Sequence, residues 1–163
     1  EELAGIDTSN LVGHLAAWNY FQSVEAPANA EFIKKWKAFT KNPKRVTNDP
    51  MEAHYIGFNM WVKAVEKAKS TDPDKVIDAI IGVEVPNLTG GTSKMLPNHH
   101  VTKPVLIGEI LETGQFDVVW KTKGLVPGDA WSDFLPGSKD LISDWPGKKC
   151  GNYNTKTGKC GGV

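Results

Sequence analysis

The densest set of groups able to hold a ligand lies in Thr47-Asn48-Asp49-Pro50-Met51-Glu52, at the start of a strongly marked helix. Asp49 reads as the N-cap and Pro50 as the first helical residue, where a missing N–H costs nothing. Glu52, at the third position, then completes an Asp-x-x-Glu capping pattern. The unpaired N–H groups and positive dipole end of such a helix favour oxygen-bearing partners. Asp49 can accept from N–H donors, while the N–H groups of Met51 and Glu52, or the Thr47 hydroxyl, can donate to a carbonyl. The same residues also describe a well-capped surface helix, and local physics alone favours that plainer reading.

Other reactive residue types are sparser. His99-His100, with His14 and His54, is a candidate metal cluster, but adjacent histidine side chains diverge and the remaining two are distant in sequence. A role in loop packing or hydrogen bonding is therefore expected, and no metal. Gly90-Gly91-Thr92-Ser93-Lys94 lacks the spacing of a phosphate loop and reads as a turn. A hydrolase would need a nucleophile held by a base, and there is no Gly-x-Ser-x-Gly elbow. Cys150 and Cys160 are the two cysteines, with nine intervening residues rich in Gly, Asn and Thr. Too few ligands surround them for zinc. A disulfide closing this short loop is the expectation, which favours an oxidising compartment, with free thiols as the alternative.

The elements that position these groups alternate. An apolar run, Gly13 to Phe21, reads as a buried strand. A helix from about Asn29 to Lys41 carries Phe32, Ile33, Trp36 and Phe39 on one face. The helix from Pro50 to about Ala68 carries Tyr55, Phe58, Trp61, Val62 and Val65 as its apolar stripe. A third starts at Asp72-Pro73, buries Val76, Ile77, Ile80 and Ile81, and ends at Gly82. Val83 to Lys103 reads as loop. Val105–Leu111 and Gln115–Trp120 read as a hairpin closed through Glu112-Thr113-Gly114. From Gly124 onward, turn residues and isolated aromatics (Trp131, Phe134, Trp145) predict an irregular tail. The order predicts an α/β fold with incomplete sheets, part of a larger sheet-and-helix protein. The 163 residues carry 19 basic and 19 acidic side chains, which leaves no global attraction for nucleic acid or an anionic surface. No apolar run approaches the ~20 residues that span a bilayer. A chain opening at Glu1-Glu2 without Met is expected of a processed or truncated product.

The segment from Thr47 to Trp61 resembles the urea-binding proteins of bacterial urea ABC transporters. So do Pro86-Asn87-Leu88-Thr89-Gly90-Gly91-Thr92, Met95-Leu96-Pro97-Asn98-His99-His100 and Gly124-Leu125-Val126-Pro127-Gly128-Asp129-Ala130-Trp131. These belong to the type I periplasmic binding proteins, close to the leucine/isoleucine/valine- and amide-binding group. The resemblance implies two α/β lobes closing on a small ligand, with this chain matching the C-terminal portion only. It implies that residues 1–22 finish the second lobe, that 25–102 form a first-lobe segment with three helices, and that 105–163 return to the second lobe as hairpin and wrapping tail. It further implies an extracytoplasmic, non-enzymatic capture of urea or a short-chain amide for a membrane permease, without a cofactor. The missing N-terminal portion of the same protein would supply the rest of the pocket. Residue by residue, the ligand set it implies is Glu1, Glu2, Thr47, Asn48, Asp49 and Met51. Two rival functions remain open. One is a metal-dependent or hydrolytic enzyme using the His99-His100 loop. The other is a ligand-free interaction protein on the same fold.

Overall fold

The computed structural model describes residues 2–129, with the backbone alone for Glu2 and Ala4, and the backbone of 153–154 and 159–160. The chain divides into two units, Glu1–Gly128 and Asp129–Val163. In the second, strands Tyr153–Asn154 and Lys159–Cys160 pair antiparallel, with Tyr153 opposite Cys160. The expected Cys150–Cys160 bridge and the tail aromatics Trp131, Phe134 and Trp145 lie outside the described residues.

The first unit opens with a 3-10 turn, Glu2–Gly5, followed by β1 (Leu15–Trp18). Three helices come next: α1 (Pro27–Thr40), α2 (Asp49–Ala68) and α3 (Pro73–Ile80). Four strands complete it: β2 (Glu84–Pro86), β3 (Thr92–Lys94), β4 (Leu106–Ile110) and β5 (Phe116–Lys121). β4 is the centre of a three-stranded antiparallel sheet ordered β1-β4-β5, while β2 and β3 form a separate antiparallel pair. The α/β character and the 105–120 hairpin expected from the sequence are present.

Four expectations need correction. Val83–Lys103 is not merely loop, because β2 and β3 pair within it, with Val85 opposite Ser93. Asn87 organises their turn: its Oδ1 accepts from Thr89 N, Thr89 Oγ1 and Gly91 N at 2.9–3.1 Å, supplying side-chain partners that a pattern of apolar residues does not encode. Among the described residues β1 pairs with β4 alone, at the edge of the sheet, and Leu15 and Trp18 are exposed. Burial begins just after it, at Tyr20 and Phe21.

The stripe on α2 is also rotated from the expected one. The helix buries Glu52, Ile56, Met60 and Ala64, a row spaced four apart on one side. Tyr55, Phe58 and Trp61 are exposed. Ile56 and Met60 pack with Val83 and Val85, joined by Ile80, Met95 and Val101. Because α2 carries apolar residues on more than one face, periodicity establishes amphipathicity without choosing the face that meets the core. Likewise Phe39 of α1 is exposed, and Ile77 of α3 is half out of its expected buried face, 49% exposed.

Candidate functional site

The fourth correction concerns the start of α2. The N-cap is Asn48, not Asp49: its Oδ1 accepts from Met51 N at 3.0 Å, while Glu52 N donates to the Asn48 carbonyl at 3.1 Å. Both N–H groups expected to meet a ligand are thus used inside the helix. Thr47 is buried, and its hydroxyl hydrogen-bonds with the Tyr20 hydroxyl at 2.7 Å and with Gln22 Oε1 at 3.3 Å. The Gln22 oxygen also accepts from Thr47 N at 2.8 Å.

Asp49, released from capping, faces the end of β1. Its Oδ1 accepts from Asn19 N at 3.1 Å and lies 3.9 Å from Lys103 Nζ. Glu52, one turn on, is fully buried; it accepts from Leu88 N at 3.4 Å and is ion-paired with Lys103. Burial pushes the carboxyls of Asp49 and Glu52 above their ordinary values, opposed by the Lys103 ammonium. Burial also pushes the Tyr20 hydroxyl up, to about 12, with the Thr47 hydrogen bond opposing it and the Glu52 charge reinforcing it.

Thr47, Asn48, Asp49 and Pro50 form one wall of a cleft of about 520 Å³. Trp18, Tyr20, Phe21 and Gln22, leading out of β1, line it further, as do Gln115 and Phe116 from the hairpin. Phe21 and Phe116 are in contact, ring centroids 4.6 Å apart. They press against the sheet where residue 108 is glycine: a Cβ there would sit 2.7 Å from Phe21 Cζ and 3.0 Å from Phe116 Cβ. The cleft is an aromatic floor with a carboxylate and several amides at its rim, a common composition for small-molecule sites.

Of the residues singled out from the sequence, the fold brings Thr47, Asn48 and Asp49 to this cleft. Met51 contributes its N–H to the cap instead. Glu2 lies in the 3-10 turn, and Glu1 lies outside the described residues. Sequence reasoning missed Trp18, Gln22, Gln115, Phe116 and Lys103. The first four come from segments distant in sequence from α2, and only β1–β4–β5 pairing brings them close. Lys103-Pro104, an isolated cation before an apolar strand, was the one local signal. A second groove of about 500 Å³ between α1 and α2 contains none of the predicted ligand set.

Among the described residues, those of the His99-His100 loop included, no group of three His, Cys, Asp or Glu could hold an ion. His100 instead hydrogen-bonds within its own loop, Nδ1 to the Asn98 carbonyl at 3.1 Å. Its Cβ lies against Gly128 closely enough that a side chain there would clash, 2.6 Å from an added Cβ. No helix among the described residues is long and apolar enough to cross a membrane.

Comparison with known proteins places this geometry in a family. The profile described as periplasmic binding protein domain matches residues 1–137. Among solved structures, a solute-binding protein of an ABC transporter from Rhodopseudomonas palustris HaA2, in complex with p-hydroxybenzoic acid, is similar at TM-score 0.61 and 23% identity, covering 72% of this chain and 33% of that one. A leucine-binding protein from Thermotoga maritima MSB8 is similar at TM-score 0.60 and 19% identity, over 74% of this chain and 33% of that one. The chain therefore spans about a third of the length of these structures. A curated relative, the limonene hydroxylase of Geobacillus stearothermophilus, is 30% identical over 115 residues, 71% of this chain but 21% of that protein. The chain belongs to the periplasmic binding protein domain family and has the α/β fold of its type I members.

Proposed function

We propose that the chain forms part of the solute-binding protein of an ABC importer, which captures urea or a short-chain amide in the Trp18–Asp49 cleft and performs no chemistry on it. The observation that carries the amide reading is the polarity of the rim. Asp49 presents a carboxylate there, while the donors expected beside it, Met51 N and the Thr47 hydroxyl, are already committed. The Asp49 carboxylate accepts hydrogen bonds and so suits a ligand rich in N–H groups, while Lys44 at the same cleft is the group that would meet a carboxylate. Urea has four N–H donors and no charge. The neighbours whose structures hold benzoates favour a second reading, an aromatic acid lying on Trp18 and Phe116, and the two differ in the sign of what Asp49 does.

In this reading residues 1–22 and 105–163 belong to one lobe and 25–102 to the other. The protein works outside the cytoplasm with a membrane permease as partner. Glu1 and Glu2 add further acceptors to the rim.

Nitrogen-15 NMR spectra of the chain, titrated with acetamide, urea, leucine and benzoate into the millimolar range, test the proposal. A ligand of four heavy atoms gains at most about 6 kcal/mol, and a partial site much less, so weak binding is expected. Signals of Trp18, Asn48 and Gln115 should move with acetamide and urea and should stop moving in Asp49→Asn. Movement with benzoate alone, retained or strengthened in Asp49→Asn, would replace the amide reading with the aromatic-acid one.

A further inference from the structure

Two passes of the chain join the β1-β4-β5 sheet to the helices: the segment after Trp18, leading to α1, and the segment before Leu106, returning from β3. Both are tied to the first turn of α2 by polar groups, part-buried at Asn19 and buried at Lys103. Asn19, in the first pass, donates its main-chain N–H to Asp49 Oδ1 at 3.1 Å and its side-chain amide to the Pro104 carbonyl at 2.8 Å. Lys103, in the second pass, is buried, and its main chain pairs with Val126 in both directions, at 3.1 and 2.8 Å. Its ammonium lies between Glu52, with which it is ion-paired, and Asp49 at 3.9 Å.

One cation thus serves two carboxylates on one helical turn. Glu52 is completely buried and holds Lys103 in place, while Asp49 is the partner that reaches the cleft. We infer that Lys103 is a positioning residue for the cleft: its ammonium, anchored by Glu52, keeps the Asp49 carboxylate charged and oriented at the rim. The inference rests on the reading of Asp49 as a ligand-facing acceptor, but Lys103's effect on Asp49 is measurable without any ligand.

The arrangement predicts opposite shifts at Asp49, and ligand binding is the readout that separates positioning from a purely structural cluster. Removing the cation and removing the competing anion must move Asp49 in opposite directions. Without Lys103, burial acts unopposed on Asp49 and its carboxyl holds its proton to higher pH. Without the Glu52 charge, the ammonium is left to Asp49 alone and the proton leaves at lower pH. Tyr20 also senses the Glu52 charge, and its hydroxyl stays protonated across the carboxyl range.

Carbon-13 NMR titration of the Asp49 carboxyl in the chain tests this directly. Lys103→Met should raise the Asp49 midpoint by about one unit or more, a tenfold change in proton affinity. Glu52→Gln should lower it, and Lys103→Arg should leave it close to the parent. If Lys103→Met does not fold, Glu52→Gln with Lys103→Met removes anion and cation together, and Asp49 should then titrate above its midpoint in Glu52→Gln alone. An Asp49 midpoint that ignores both substitutions, or moves the same way in each, would overturn the inference. Acetamide titrations of the same variants separate it from the cleft reading. Binding weakened in Lys103→Met and recovered as pH rises supports both. Unchanged acetamide binding beside a shifted Asp49 midpoint sinks the ligand role of Asp49 and leaves Lys103's control of that carboxyl standing.

Discussion

The Tyr20 hydroxyl donates to Asn29 Oδ1 at 2.7 Å, and both side chains are only 1% exposed. Asn29 uses its remaining donors on the Gln22 and Val24 carbonyls at 2.9 and 2.8 Å. A single amide on the first turn of α1 therefore gathers three points of the connection from β1, at Tyr20, Gln22 and Val24.

Asn29→Ala should be among the more damaging substitutions. It removes three hydrogen bonds at once and leaves the part-buried Gln22 carbonyl without the Asn29 donor, while the Tyr20 hydroxyl keeps Thr47 and the Val24 carbonyl keeps Ala26 N; each lost bond costs about 0.5–1.5 kcal/mol. Tyr20→Phe removes one hydroxyl while Asn29 keeps its other two bonds, and should cost less. Guanidinium unfolding midpoints of the two variants, compared with the parent, check the ranking.

Gly108→Ala should destabilise through space alone. The added methyl would meet Phe21 and Phe116 at 2.7–3.0 Å, and overpacking of this kind costs about 1–3 kcal/mol. Shortening the ring in Phe21→Leu should relieve part of the clash, so the double variant should be more stable than the sum of the single effects. A thermodynamic cycle from thermal unfolding reads that coupling.

Asn48→Ala should lower stability by about 1 kcal/mol, the usual cost of losing an N-cap. Asp49→Ala should leave the helix start intact, since Asp49 does not cap it. Amide hydrogen exchange at Met51 distinguishes the two: protection falls in the first variant and holds in the second.

Stability should depend on pH at both ends of the scale, with one sign. The carboxyls of Asp49 and Glu52 titrate higher in the folded chain than their ordinary 3.8 and 4.5. The folded state therefore holds more protons in the interval above those values. Their contribution is complete below 3.8 and 4.5 and is lost as pH rises through the folded midpoints. Tyr20 behaves alike between 10.0 and about 12: folding favours the protonated hydroxyl, so stability should fall as pH rises across that interval. Unfolding midpoints measured from pH 10 to 12 should decline in the parent and decline less in Tyr20→Phe.

Local chemistry was legible where it depends on neighbours in sequence. Asp72-Pro73 starts α3 as expected, with Asp72 accepting from Lys75 N at 3.2 Å, and the Gly-containing connection after Leu111 closes the β4–β5 hairpin. Even the start of α2 was found within one residue, because Asn48 and Asp49 are both competent caps and only backbone geometry chooses between them. What tertiary structure alone decided is which side of each element faces inward and which distant groups meet. The inward row of α2 is Glu52, Ile56, Met60 and Ala64 because Lys103, fifty-one residues away, neutralises the one charge in that row. A buried glutamate has no signature in a hydrophobic pattern, since its burial is stabilised by a partner whose position only the folded chain creates. The cleft follows the same rule. The Thr47–Asp49 wall was visible in the sequence, but its aromatic floor exists only because antiparallel pairing of β1, β4 and β5 brings Phe21 and Phe116 together over Gly108.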